Sequence, residues 1–401
     1  MKLLIFDLEV DGHHPGYLRH LLRFWPDEQT HLHFVVAPTL AKRHPALVQT
    51  PSRARVSWSP ITLAEWQWYE KSKGSLVQRA WVEWRLYCRY AKAMAVDQGL
   101  IMYMDRFQLP MALRCFLPCK TSGVFFRPKF HYRQFHERQP TGKERLAALR
   151  EQWLWRSTLR HPQLKTLFCL DPLAVAPLQA LGDHATVVHL PDPVESYPQP
   201  VATVTTLRQR LGLDPARMVF LLFGMIDRRK GIYQILAAVQ QLQRDHQAPL
   251  TLLLVGPLAE ADKANVLAQI DAITSHSAVQ IVVCDDFIQD TQIQAYFESA
   301  DVVLALYQRH VGMSAILVRA AAAGKPVLAS DYGLMGELVC RHQLGLAVDT
   351  TDPGAIVAGL VRFLGGQQPN FDQSAASHFA AANRPEQFVQ CLWRNSTNRG
   401  H

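Results

Sequence analysis

Three consecutive cations stand shortly after a glycine in Phe223-Gly224-Met225-Ile226-Asp227-Arg228-Arg229-Lys230-Gly231, between an apolar run of strand length and a helical pattern. Arg228, Arg229 and Lys230 can meet a phosphate there that also receives amides from a helix N-terminus. A solvated basic turn would use the same residues. The loop lacks the Gly-x-x-x-x-Gly-Lys spacing of a P-loop, and the chain lacks Gly-x-Gly-x-x-Gly, which disfavours nicotinamide dinucleotides. A second candidate is Gly312-Met313-Ser314. The glycine lets a ligand approach the backbone, and Ser314 reads as the N-cap of a helix through Ala323, with Gly324 just beyond it and Pro326 following. Free amides at that helix start suit a diphosphate. Arg319, five residues in, faces either the same cleft or solvent.

These loops need strands to aim them. In the second half, strands are expected at Met218–Phe223, Leu250–Val255, Val279–Val283, Val302–Ala305 and Pro326–Ala329. Helical patterns alternate with them at Tyr233–Arg244, Ala264–Ala272, Thr291–Glu298 and Ala315–Ala323. That alternation is an α/β doubly wound sheet, with ligands expected beyond the carboxyl ends of its strands. The first half begins the same way, with strands at Lys2–Phe6 and His31–Ala37 and helical spacing from Tyr17 to Trp25. Further strands follow at Leu100–Met104, Gly123–Phe126, Thr166–Cys169 and Thr186–His189. Pro191 to Pro200 carries four prolines and reads as a linker. The expected organisation is a domain over 1–190, a linker over 191–203, a second domain over 204–375 and a helical tail over 376–401, which either crosses back to the first domain or stays loose.

At 401 residues with 48% apolar and 19% charged residues, the chain can build two or three cores and is not disordered. No apolar run reaches the ~20 residues of a membrane span, and Asp7, Glu9 and Asp11 do not suit an export signal. The expectation is a cytoplasmic protein. The seven cysteines are scattered and odd in number, which argues for reduced thiols. Residues 1–200 hold 26 basic and 17 acidic groups, a balance of +9, and the remainder holds 16 and 17. An anion met from a distance is therefore met by the first half.

In order along the chain, these pieces resemble the group 1, or family 4, retaining glycosyltransferases of GT-B fold. The likeness covers roughly Val219 to Leu364. Phe223-Gly224 with Lys230-Gly231 is similar to the family's Gly…Lys-Gly loop, whose lysine meets the donor diphosphate. Asp286-Phe287-Ile288 falls where the family recognises the base. Leu317-Val318-Arg319-Ala320-Ala321-Ala322-Ala323-Gly324-Lys325-Pro326-Val327 resembles its Glu-Ala-…-Gly-Lys-Pro-Val helix. The resemblance implies two Rossmann-like domains facing across a cleft and a nucleotide diphosphate sugar, UDP- or GDP-linked, as substrate. It further implies transfer to an acceptor hydroxyl with retention, without a metal or cofactor. On it, Gly224, Arg228, Arg229, Lys230, Phe287, Ile288, Gly312, Met313, Ser314 and Arg319 are the donor-binding residues. The family's paired glutamates correspond here to Val311 and Arg319, and a guanidinium cannot accept a ribose hydroxyl as a carboxylate does.

On the acceptor side, Gly12-His13-His14-Pro15-Gly16-Tyr17 occupies the first loop. His13 or His14, titrating near neutrality, can orient or deprotonate an acceptor hydroxyl, or merely start a helix. The pair alone is a weak metal signal. Asp105 is a further catalytic candidate beside Lys230. Gly12, Arg127 and His131, the last within Lys129-Phe130-His131-Tyr132-Arg133, can hold an anionic acceptor, or they flank a strand as solvated charges. Between Glu65 and Tyr90 a basic, aromatic helix packs into its own domain or lies on an anionic bilayer at the inner membrane face. Its ingredients would also suit nucleic acid, but no recognised module accompanies them and none is expected as partner. The expected acceptor is a glycan, a lipid or a small molecule. A non-catalytic GT-B partner protein and a GT-B sugar-nucleotide epimerase are the alternatives.

Overall fold

A computed structural model describes residues 1–128, 142–195, 197, 199–246, 249–366 and 369–396. The chain forms two compact units. One is Met1–Pro193 joined by the segment from Arg384 onward, and the other is Val194–Asn383.

The first unit holds seven strands: β1 (Lys2–Asp7), β2 (His31–Val36), β3 (Arg55–Pro60), β4 (Gln98–Ile101), β5 (Lys120–Phe125), β6 (Leu164–Cys169) and β7 (Thr186–His189). They pair in the order β3-β2-β1-β4-β5-β6-β7. Every pairing is parallel, and β1 sets the register, from Lys2 opposite His31 to Asp7 opposite Val36. Helices cover both faces of such a sheet, so its central strands are apolar on both sides. Leu3 and Ile5 enter the core that contains Phe34 and Leu100, while Leu4 and Phe6 enter the one that contains Tyr87 and Ile101. The strand order reverses between β1 and β4, which leaves a crevice at their carboxyl ends.

Two features of this unit depart from the expected outline. Edge strand β3 is only half-buried and polar at alternate positions, so its apolar signal is weak. The expected strand Leu100–Met104 ends at Ile101, because Met104–Arg106 turns into a short 3-10 helix.

The residues of the expected tail are shared between the units. Helix Gln373–Ala382 packs on helix Ala315–Ala322 of the second unit. Helix Pro385–Ser396 belongs to the first unit, where Phe388, Val389 and Leu392 are fully buried and Phe388 lies 4.9 Å from the Tyr17 ring.

The second unit has β8 (Met218–Phe223), β9 (Leu250–Val255), β10 (Gln280–Cys284), β11 (Val302–Ala305), β12 (Val327–Ser330) and β13 (Gly345–Val348). Their order, β10-β9-β8-β11-β12-β13, reverses between β8 and β11. The last three residues of the expected linker already belong to helix Val201–Arg210, which packs on helix Asp290–Ser299.

Candidate functional site

In the second unit, β8 runs into Gly224, whose φ of +97° a side-chain-bearing residue rarely adopts. Asp227 then caps a 3-10 turn, Arg228–Lys230, by accepting the Lys230 amide at 3.0 Å. Gly231 ends the turn at φ +75°, and a Cβ on it would lie 2.3 Å from the Leu306 carbonyl. The loop after β8 is therefore pressed against the end of β11. Gln308, just past β11, ties the two together by donating its amide to the Arg229 carbonyl at 2.8 Å.

Lys230 is 5% exposed, an unusual state for a lysine. Its ammonium folds back under Gly224 to donate to the Phe223 carbonyl. A Cβ on Gly224 would lie 2.8 Å from Nζ, so the absent side chain keeps one side of the charge clear. The Tyr307 ring lies 5.3 Å from Nζ and 5.3 Å from the Arg229 guanidinium, so two cations lie against this one ring. Arg228 points elsewhere. Its Nε donates to Asp262 at 2.8 Å, and Asp262 also accepts from the Tyr233 hydroxyl at 2.9 Å.

Past β11, Gly312 adopts φ +106° and Ser314 caps helix Ala315–Ala322 by accepting the Ile316 amide at 3.4 Å. The Ser314 hydroxyl also reaches the Tyr307 hydroxyl at 3.1 Å. Gly324 terminates the helix at φ +65°, as expected of a C′ glycine. Met313 falls between Gly312 and the cap, on the same turn. Phe287 is 74% exposed just past β10, with Ile288 half-buried beside it.

Arg319, on helix Ala315–Ala322, is half-buried. It donates to the Glu195 carbonyl at 3.2 Å. Burial lowers its pKa, and the charges of Asp290, Tyr197 and Glu195 oppose that shift.

In the first unit, the crevice at the ends of β1 and β4 gathers the other candidates. His14, in the first turn of helix His14–Phe24, donates its Nδ1 proton to Asp7 at 2.8 Å. Burial disfavours the imidazolium, yet the Asp7 charge and hydrogen bond outweigh it and raise His14 above the ordinary histidine range. His13 stacks on His14 at 4.5 Å and lies 4.8 Å from both Tyr17 and Phe126. Dehydration by these neighbours, then the positive charges of His14 and Arg127, hold His13 well below its usual range. The two histidines thus divide into a neutral ring and a readily charged one. Gly12 precedes them at φ +67°, exposed and with open space around it.

Asp105 does not present a free carboxylate. It accepts the Phe126 amide at 3.0 Å and the Arg127 amide at 3.2 Å, and burial lifts its pKa to about 6. It positions the loop that carries Arg127, whose side chain is exposed. His131 lies outside the described residues.

Four charged residues that the sequence does not single out as site candidates complete this crevice. Glu9 accepts from Arg79 at 2.5 Å, from Arg106 at 2.6 Å and from the Tyr69 hydroxyl at 2.9 Å, and Arg106 also donates to Glu83 at 2.8 Å. Burial works against ionised Glu9, but Arg106, Tyr69 and Arg79 hold it down to about 2. The Glu9 amide in turn donates to Asp7 at 3.0 Å, which links this cluster to the His14 partner. The sequence does signal Asp7, since it closes the first strand at a switch point; the partners of Glu9 are up to 97 positions away. Among the described residues, no group of three or more His, Cys, Asp or Glu stands close enough to hold a metal ion.

The aromatic segment after Glu65 turns mostly inward. Tyr69, Trp84 and Tyr87 are buried, and Tyr87 donates to or accepts from Thr121 at 2.6 Å.

Residues 203–377 match the family model of the group 1 glycosyl transferases. A glycogen synthase of Mycobacterium tuberculosis is 27% identical over 197 residues, 46% of this chain and 44% of that protein. A D-inositol 3-phosphate glycosyltransferase of Rhodococcus jostii is 31% identical over 144 residues, 35% of this chain and 31% of that protein. The matched stretch spans less than half of either relative. Among solved structures, that of Anabaena HepE in complex with UDP aligns with 98% of both chains at a TM-score of 0.65 and 15% identity, a likeness of fold.

Proposed function

We propose, from the match of residues 203–377 to the family model of the group 1 glycosyl transferases, that the protein moves a sugar from a nucleotide diphosphate sugar to an acceptor hydroxyl, with retention and without a metal. The observation that carries this reading is the burial of Lys230 under Gly224 at the switch point of the second sheet. Burying an ammonium is costly unless something compensates it. Here a backbone carbonyl and an aromatic face compensate it only in part, so an anionic ligand gains more from this charge than from a solvated one.

In the proposed reaction Lys230, with Arg229 against the same tyrosine ring, neutralises charge growing on the leaving diphosphate. Amides at the start of helix Ala315–Ala322 assist, and Gly312 lets the ligand come close to them. Phe287 offers its exposed ring to the base. His14, held by Asp7, orients the acceptor hydroxyl beside His13 and Arg127. UDP, GDP and ADP titrated calorimetrically into the wild type and Lys230→Ala test the donor site. One nucleotide should bind the wild type and lose its affinity in the variant; equal binding to both proteins would refute the assignment.

A second reading is a non-catalytic GT-B protein, favoured by the engagement of Arg319 with the Glu195 carbonyl where the family resemblance places a carboxylate. Acceptor-dependent release of nucleoside diphosphate separates the two. A sugar-nucleotide epimerase would convert the donor without releasing the nucleotide.

A further inference from the structure

Helix Gly142–Leu159 of the first unit is apolar on two opposite sides. Ala148, Trp155 and Leu159 are buried in the core under β5 and β6. Leu146, Leu149 and Trp153 are 70%, 59% and 56% exposed. Their spacing of three and four places them on one face. Large apolar side chains grouped on a surface mark a contact, whereas scattered ones need no account.

Arginines surround this face. Arg145 precedes Leu149 by four and Arg156 follows Trp153 by three, which borders one side. Arg150 follows Leu146 by four on the other side, and Arg160 closes the C-terminal end. All four are exposed. Glu151 lies round the helix toward the buried side and is only partly exposed. Leucines beside a tryptophan, bordered by guanidinium groups, are what the boundary of an anionic bilayer selects: apolar chains enter the acyl edge while the cations meet headgroup phosphates. A self-complementary pairing of two copies through this face would set arginines against arginines. Among the described residues no helix is long and apolar enough to cross a membrane, so the contact would be peripheral.

We propose that the Leu146–Leu149–Trp153 face of this helix docks on an anionic lipid surface. The aromatic segment after Glu65 is a poorer candidate, because Tyr69, Trp84 and Tyr87 are buried in the core and only Trp68 among its rings is exposed.

Sedimentation of the full chain with vesicles of phosphatidylcholine alone, and of phosphatidylcholine mixed with phosphatidylglycerol, tests the proposal without reference to sugar transfer. The wild type should pellet with the anionic vesicles and stay in solution with the neutral ones. Leu149→Glu and Trp153→Glu change exposed side chains, and an unaltered thermal transition would show that each still folds. Each should weaken binding to anionic vesicles by about tenfold or more, the scale of one lost apolar anchor. Replacing Arg150 and Arg156 together by glutamine should weaken it and flatten its salt dependence. Absence of binding, or binding equal in wild type and Trp153→Glu, would overturn the proposal. So would a concentration-dependent dimer that Trp153→Glu abolishes, since that would give the face to a second copy.

Discussion

His14 and Asp7 meet at 2.8 Å between Nδ1 and Oδ2, one at the start of the first helix and the other at the end of the first strand. The bond fixes the imidazole and leaves Nε2 as its other polar atom. Because Asp7 raises the histidine's pKa, the pairing favours the protonated form. Its stabilising contribution is fully present below about pH 6.5, the ordinary histidine value, and is lost as pH rises through the raised native one. Asp7→Asn should destabilise the protein by about 1.5–3 kcal/mol at mildly acidic pH, the usual scale for a hydrogen bond to a charged group. The loss should shrink at alkaline pH. Urea unfolding at the two pH extremes measures the difference, and an equal loss at both would break the link to protonated His14.

Lys230 and Arg319 are both cations of the second unit withdrawn from solvent. Lys230→Ala should lower turnover by about two orders of magnitude, within the range found when a group stabilising transition-state charge is removed. Arg319→Ala should cost stability through the freed Glu195 carbonyl, yet change nucleotide affinity by less than about tenfold. Steady-state kinetics and nucleotide titration of both variants check this. A larger affinity loss in Arg319→Ala than in Lys230→Ala would reverse the assignment.

Gly231→Ala joins two unfavourable effects. A residue with a Cβ at φ +75° costs about 1–2 kcal/mol, and the new methyl would stand 2.3 Å from the Leu306 carbonyl. The loop must move away from β11 to relieve it. The expected outcome is a lowered urea midpoint together with weakened nucleotide binding, because Lys230 is the next residue. A variant that kept wild-type affinity would show that the loop position is not needed.

Asp105 gives a prediction of the same sign as the one for Asp7, over a lower pH interval. Its folded pKa of about 6 stands above the ordinary aspartate value of 3.8, so the native state holds this proton more tightly than the unfolded chain does. That contribution is present at acid pH and declines between about pH 4 and about pH 6 as Asp105 ionises while buried. Asp105→Asn removes the titration but keeps one acceptor for the Phe126 and Arg127 amides. The stability of the variant relative to wild type should therefore rise across that interval and level off above it. A difference that is flat with pH would contradict the assignment.

The sheets were legible because their central strands are apolar on both faces: Leu250 to Val255 reads as a strand with little help from context. Strand β3 was not, since its half-exposed edge position leaves Ser57 and Ser59 among its residues. The Lys230 loop could be recognised because a glycine, a turn and a cation must follow one another closely in the chain. The Asp7–His14 pair spans seven positions of one strand–loop–helix connection, whereas the Glu9, Arg79, Glu83 and Arg106 cluster depends on strand order, which brings together three separate segments. The partner of Arg319 was hidden for the same reason. Its orientation is set by the carbonyl of Glu195, 124 positions away.

Helix Pro385–Ser396 closes the core of the unit that begins at Met1. On the ribosome, this orders the two folding events. The segment to Pro193 emerges with the pocket for Phe388, Val389 and Leu392 still open, and about 200 further residues must be made before it is filled. At ~5–20 residues per second that wait lasts on the order of ten seconds or more. The unit translated second thus has its own chain in hand first, and the unit translated first holds apolar surface open in the meantime.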